Sequence, residues 1–444
     1  MVLFKEVNMK KTTKKVFLAV AALMGFGMLS GELGTSVTGR AGLKGANTNT
    51  TGKKFYSAYS SMDEVGEAGN ALTREIAGEG IVMLKNDGVL PLEGVKNVTV
   101  FGKNSVNTSI GGGGSGASKG YYPSAGIYDT LKEAGFVVNE AQKAFYEDNS
   151  RSGNGRTSGG MFSSGGFTIG ETPVSKYESS VKETWNTYND AAIITIVRSG
   201  SEGADEPVCN MVDDASQLDA NGLPKQEVGN RHYLELSKNE EDMIKMVEES
   251  GKFSKIIVVL NATNVMELGE LQDDKKINAM LWTGGLGGTG FYAIGDILTG
   301  KVNPSGKTVD IFPRDLLNDP TSLNFGTNAQ NQENNTKNYF LSPDKKDANY
   351  ESKYKDIWYA KNRDGSYSTT ETASIAAYTN YEEGVYLGYK YYETMFTIKG
   401  GASNRGAKDW YKANVVYPFG YGLSFTEFEM KADGEIQRNG HDMS

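Results

Sequence analysis

Residues 191–198 read A-A-I-I-T-I-V-R, and Ile193-Ile-Thr-Ile-Val197 is β-branched throughout. Such a run, bounded by turn residues, predicts a strand buried on both faces, as in a parallel sheet covered by helices. At its C-terminal end the chemistry changes at once, to Arg198 and then Ser199-Gly-Ser-Glu202-Gly-Ala-Asp205-Glu206. Open α/β sheets bind ligands just beyond the carboxyl ends of their strands. Glu202, on a glycine-flanked loop, therefore stands where a catalytic carboxylate would. On this stretch alone a solvated acidic loop reads the same way.

The rest of the chain repeats the strand signal in alternation with helices. Strands are expected at Ile81–Leu84, Val98–Phe101, Phe136–Val138, Lys255–Leu260, Ala279–Thr283 and Thr308–Phe312. Helical spacing joins Ala68, Leu72 and Ile76, and again Ile127, Leu131 and Ala134, with Gly135 as the stop. Ser237-Lys-Asn-Glu240 is a capping box ahead of Met243, Ile244 and Val247. Ile294 and Ile297 mark another helix, closed by Gly300, and the stripe Tyr177, Val181, Trp185 and Tyr188 reads as core packing. The alternation predicts an α/β fold, a mostly parallel sheet flanked by helices.

Organisation follows from the gaps. Residues 1–30 carry a basic stretch and then the apolar run Val16–Leu29, which reads as a signal peptide or an N-terminal membrane tether, hence an exported chain. Residues 31–60 read as linker, 61–324 as the α/β domain, 325–380 as a polar insertion or lid, 381–426 as the C-terminal part of the same domain, and 427–444 as the start of a following module.

A net charge of -9 does not support a nucleic-acid footprint. Fifty-five glycines with 38% hydrophobic residues predict long loops around a modest core. Cys209 is the lone cysteine, and the two histidines, His232 and His441, lie far apart. No cluster with zinc-ligand spacing is present, and no metal or cofactor is called for. One competing signal exists. Gly285-x-Gly287-x-x-Gly290 follows an expected strand, opens a helix and has Asp310 about 20 residues on, as a dinucleotide fingerprint asks. It sits late in the sheet rather than after the first strand. A carbohydrate-binding or scaffold module without chemistry, holding sugar by stacking on Trp282 and tyrosines, is the other alternative.

Six segments in one order carry a resemblance. Arg74–Leu92 (R-E-I-A-G-E-G-I-V-M-L-K-N-D-G-V-L-P-L) resembles the opening of the C-terminal α/β sandwich domain of glycoside hydrolase family 3. Gly113-Gly-Ser-Gly116 is similar to that family's glycine loop, and Ser201–Asp205 to its S-G-E-G-x-D segment. Trp282–Gly306, Tyr381–Tyr392 and Pro418–Thr426 resemble its later motifs, so that the Gly285–Gly290 loop becomes the family's own glycine loop.

The resemblance implies a retaining glycosidase acting on β-glucosides or related β-glycosides and oligosaccharides. Two carboxylates must face each other about 5–5.5 Å apart, one as nucleophile and one as general acid/base. Glu202 falls on the acid/base. Gly113, Gly114, Ser115 and Gly116, with Arg198 and Asp205, are the implied substrate contacts. Glu206 stands where the family usually has Arg. The family's nucleophile belongs to a TIM-barrel domain, and eight βα units are not left over here. Asp409-Trp410 mimics the nucleophile motif but reads as a loop pair. The barrel, downstream or on another chain, is thus an implied partner.

Overall fold

The computed structural model describes residues 58–114, 124–157, 167–202, 206, 211–213, 215–217, 225, 231–316, 319–321, 383–427, 429, 438–439 and 442–443. The chain divides into two units, Met1–Val65 and Gly66–Ser444, and of the first only residues 58–65 are described. The expected signal or tether therefore lies outside the described residues. Among those, no helix is long and apolar enough to cross a membrane.

Six strands form one sheet: β1 (Val82–Asn86), β2 (Asn97–Phe101), β3 (Val137–Val138), β4 (Ala191–Arg198), β5 (Ile256–Ala262) and β6 (Ala279–Trp282), in the order β1-β6-β5-β4-β2-β3. All neighbours are parallel except β1, which runs antiparallel to β6 at one edge, Val82 opposite Trp282. Every residue of β4 and β5 is buried, as the β-branched runs require.

Successive side chains on these strands alternate between two cores. Ile194, Ile196, Val258 and Leu260 join Phe101, Trp185, Met243 and Val247 on one face. Ile193, Ile257, Val259 and Leu281 join Ile127, Leu131, Ile294 and Ile297 on the other. The helices follow this division. The first face is covered by α5 (Ser179–Thr184) and α6 (Lys238–Glu249), together with α3 (Glu140–Glu147) ahead of α4 (Asn149–Ser152). The second is covered by α2 (Ile127–Glu133) and α8 (Tyr292–Leu298), with α1 (Met62–Gly80) contributing Ala77. The predicted capping box is present at α6: Ser237 Oγ accepts from Glu240 N, and Glu240 accepts from Ser237 N.

One expected strand is not in this sheet. Of Thr308–Phe312 only Phe312 enters a strand, β7 (Phe312–Pro313), which pairs antiparallel with β8 (Val415–Tyr417) in a separate ribbon. Val309 is 74% exposed. Asp310 thus precedes β7 in a bend, and the helix after the Gly285–Gly290 loop does not return to a neighbouring parallel strand. The second half of a dinucleotide-binding βαβ unit is missing among the described residues. The remaining elements near this ribbon are α7 (Gly269–Asp273), α9 (Tyr389–Ile398) and α10 (Arg405–Asn414). Asp409 and Trp410 lie in α10 rather than in a loop, with Asp409 exposed 3.7 Å from Arg405 one turn away.

Candidate functional site

Strand order fixes where a crevice opens. From β2 the chain passes through α2 to β3 on one side, whereas from β4 it passes through α6 to β5 on the other. The loops leaving the carboxyl ends of β2 and β4 therefore diverge, and ligand sites of open α/β sheets form at such a switch point. A cavity of about 410 Å³ lies there, bounded by residues 105–113 after β2, by Ser199 after β4 and by Arg156.

The two loops singled out from sequence meet at this edge. Gly113 N–H donates to Gly200 O at 2.6 Å. Gly114 has φ +65°, and a Cβ placed on it would lie 2.6 Å from Glu202 Cβ. A side chain at 114 is thus barred both by backbone conformation and by contact. The Glu202 side chain is exposed against this glycine. Of the expected substrate contacts, Gly113 and Gly114 lie at this edge, and Ser115, Gly116 and Asp205 lie outside the described residues.

Arg198 requires a correction. It is fully buried and all five N–H donors are engaged by protein. Nε donates to Tyr233 O at 2.6 Å; the terminal nitrogens reach Val197 O and Glu235 O at 3.0 and 2.8 Å and grip Glu240 with two bonds of 2.7 and 2.6 Å. A guanidinium so occupied has no donor for a sugar. It anchors the base of the loop instead, tying the end of β4 to the first turn of α6.

Other residues hold the crevice in shape. Asn261, fully buried near the end of β5, accepts from Ser109 N at 2.7 Å and donates to Ser109 O and Gly284 O at 3.0 and 2.8 Å. One amide so joins the loops after β2 and β6 to the strand between β4 and β6. Gly200 N donates to Thr263 Oγ1 at 3.2 Å, Thr263 Oγ1 donates to Asn264 Oδ1 at 2.8 Å, and Asn264 Nδ2 donates to Glu206 Oε2 at 3.2 Å. Burial pushes the Glu206 carboxyl up to about 7, against the pull of Arg198 and His232. Its Oε1 is buried without a hydrogen-bond partner. The signal for Asn261 was in the sequence: an amide follows the apolar run Ile256–Leu260 directly, at the ligand end of its strand.

Two further sequence candidates take structural roles. Trp282 Nε1 donates to Ala262 O at 2.7 Å and the ring packs edge-on against Phe312, so it is not an open stacking platform. His232, with Glu235 and Glu267, forms a group whose ligand atoms lie within 4.8 Å of one another. Leu234 N donates to His232 Nδ1 at 3.1 Å, which leaves the proton on Nε2, and Nε2 donates to Glu267 Oε1 at 2.9 Å. A metal would need that Nε2 lone pair, so hydrogen bonding accounts for this donor set and it does not fit a cation.

Comparison with known proteins agrees with the architecture. The glycosyl hydrolase family 3 C-terminal domain matches residues 81–389. Beta-glucosidase A of Butyrivibrio fibrisolvens is 30% identical over 370 residues, covering 80% of this chain and 35% of that protein. A beta-glucosidase of Ruminococcus albus is 27% identical over 368 residues, covering 82% and 29%. The chain thus spans about a third of the length of these curated relatives. Among solved structures, a beta-glucosidase from Paenibacillus barengoltzii superposes with a TM-score of 0.54 at 24% identity, covering 85% of this chain and 32% of that one. Beta-glucosidase 3B from Thermotoga neapolitana gives 0.52 at 24%, covering 84% and 40%. With the family match extending over most of the sheet and its ligand edge, the chain belongs to the glycosyl hydrolase family 3 C-terminal domain family.

Proposed function

We propose that this chain supplies the proton-transferring half of a retaining glycosidase acting on β-glucosides or related β-glycosides, with Glu202 as general acid/base. The attacking carboxylate comes from a TIM-barrel domain, on the same polypeptide or on a partner. Supporting this are the family membership, the beta-glucosidase relatives, and above all one observation: the exposed Glu202 side chain packs against Gly114 at the sheet's switch point. A donor there can protonate a leaving-group oxygen and later activate water, the two duties of a single carboxyl in retaining hydrolysis.

The test is hydrolysis of aryl β-glucosides by this chain alone and fused to a family 3 barrel. The fusion is active and the isolated chain is not. Glu202→Gln in the fusion lowers kcat about 10²–10⁴-fold on a substrate with a poor leaving group, the range for a general acid, and much less on a dinitrophenyl glycoside that needs no protonation. Glu206→Gln serves as comparison, since burial pushes its carboxyl up to about 7 yet its Oε1 is buried. A fusion indifferent to Glu202→Gln, or one in which Glu206→Gln shows the leaving-group dependence instead, overturns the assignment.

A further inference from the structure

Arg156 is a cation without a carboxylate partner among the described residues. Its Nε donates to Asn107 O and one terminal nitrogen to Ser199 Oγ, both at 3.0 Å. Its backbone N–H is held by Asn104 Oδ1 at 2.8 Å, so the segment carrying it is fixed to the turn after β2. Asn107, Ser199 and Arg156 all line the switch-point cavity, so the guanidinium head sits in its wall. Three of its five N–H groups have no acceptor among the described residues. Burial and the neighbouring Arg198 draw its pKa down, the response of a cation short of counter-charge.

The other charged groups of the wall do not supply that charge. Glu147 pairs with Lys143 at 3.0 Å. Asp129, another wall residue, accepts from Gly126 N through Oδ2 at 2.8 Å, and among the described residues its Oδ1 makes no hydrogen bond. The Thr108 and Ser124 hydroxyls, also in the wall, make no hydrogen bond among the described residues. The cavity therefore offers one planar fork for an anion and, apart from it, acceptors and donors for hydroxyl groups. A carboxylate fits the fork bidentately. A ligand that carries a carboxylate and several hydroxyls on one ring satisfies both sets at once.

We propose that this cavity binds a uronic-acid residue, its carboxylate on Arg156 and its hydroxyls on Asp129 and Thr108. Ser199 and the glycine loop belong both to this wall and to the setting of Glu202, so the acidic sugar is part of the glycan presented to that carboxylate. That last step rests on the glycosidase reading above; the binding itself does not.

Calorimetric titration of the 444-residue chain with sodium glucuronate, glucose and inorganic phosphate separates these statements, because it needs no barrel and no turnover. The expected result is one glucuronate per chain, with glucose weaker by about tenfold or more, since a charge-assisted bond to Arg156 is lost. Arg156→Gln removes the preference for glucuronate over glucose. Thr108→Trp, which puts a large side chain into the cavity wall and leaves Arg156 itself unsubstituted, abolishes binding of both sugars, and unchanged near-ultraviolet circular dichroism verifies that each variant is folded. Glucuronate binding that survives both substitutions, or glucose binding as tightly as glucuronate, overturns the proposal. Phosphate binding as tightly as glucuronate and displacing it also overturns it, by showing a general anion site.

Discussion

Arg198→Met isolates what the buried ion pair does for the ligand edge. Methionine approximates the volume of the arginine stem, so little cavity is created, and the change falls on polar partners. Glu240 loses both of its bonds to the guanidinium, and Tyr233 O, Val197 O and Glu235 O each lose one donor. Removing one member of a buried pair costs about 3–5 kcal/mol, because the other charge stays behind. The carbonyls add about 1 kcal/mol each where water cannot replace the donor. A loss of about 6–8 kcal/mol is therefore expected if none of the three carbonyls is rehydrated, a large share of the roughly 5–15 kcal/mol that holds a domain together. Urea unfolding read by fluorescence of the buried Trp185 measures it. The double variant Arg198→Met/Glu240→Met should be more stable than Arg198→Met alone by about 2 kcal/mol, because it removes the stranded carboxylate. It recovers no more than that, since Glu240 also accepts from Ser237 N in the capping box. An Arg198→Met variant within about 1 kcal/mol of the parent, or two single losses that simply add, would refute the reasoning.

Three other expectations follow from the same geometry. Asn261→Leu strips Ser109 N, Ser109 O and Gly284 O of their partners, so it should cost about 3 kcal/mol at about 1 kcal/mol per bond and speed hydrogen exchange at the Ser109 amide; unchanged exchange there removes Asn261 as the clamp. Glu171 is buried and its carboxyl is pushed up to about 8, first by burial and then by Glu240, and Asp213 is raised to about 7 for the same two reasons. The folded state therefore holds protons that the unfolded chain releases at ordinary carboxyl values, so the contribution of these two groups is full below about pH 4 and is lost as pH rises toward 8, by up to about 1.4 kcal/mol per pH unit for each proton; Glu171→Gln should make the slope of stability against pH less negative in urea titrations across the range, and an unaltered slope counts against it. Gly114→Ala, at φ +65° and against Glu202 Cβ, should cost about 1–2 kcal/mol in backbone strain and lower kcat of the barrel fusion on aryl β-glucosides; full activity would show that Glu202 does not depend on this contact.

Much of the fold could be read in advance because its central strands are largely apolar, β-branched runs. Such runs state that both faces are buried, and the alternation with helical periods then states how. What they do not state is direction: Ile81–Leu84 is as apolar as the parallel strands, yet β1 runs against β6. The strand expected at Thr308–Phe312 failed for a related reason. Alternating Val309 and Ile311 look like one buried face, but Val309 is 74% exposed, and Pro313, which has no N–H to give a ladder, confines the segment to a two-residue ribbon with β8.

The site was legible where the signal was local and lost where it was a relation between distant residues. Glu202 between glycines after a buried strand declares itself in a few letters. Arg198, four residues earlier, looks like a ligand contact for the same reason, and what withdraws it from the ligand is Glu240, whose presence was already explained by the capping box. That glutamate does both, its Oε2 accepting from Ser237 N and from Arg198 at once. Arg156 presents the opposite case. It stands in a glycine- and serine-rich run with no pattern to mark it, and the fold brings it to the switch point without bringing a carboxylate to meet it. Two arginines at one edge of one sheet thus differ not in their own chemistry but in whether an acid 42 residues away reaches one of them. The arginine that the sequence advertises is consumed by the protein, and the unadvertised one keeps donors for a ligand.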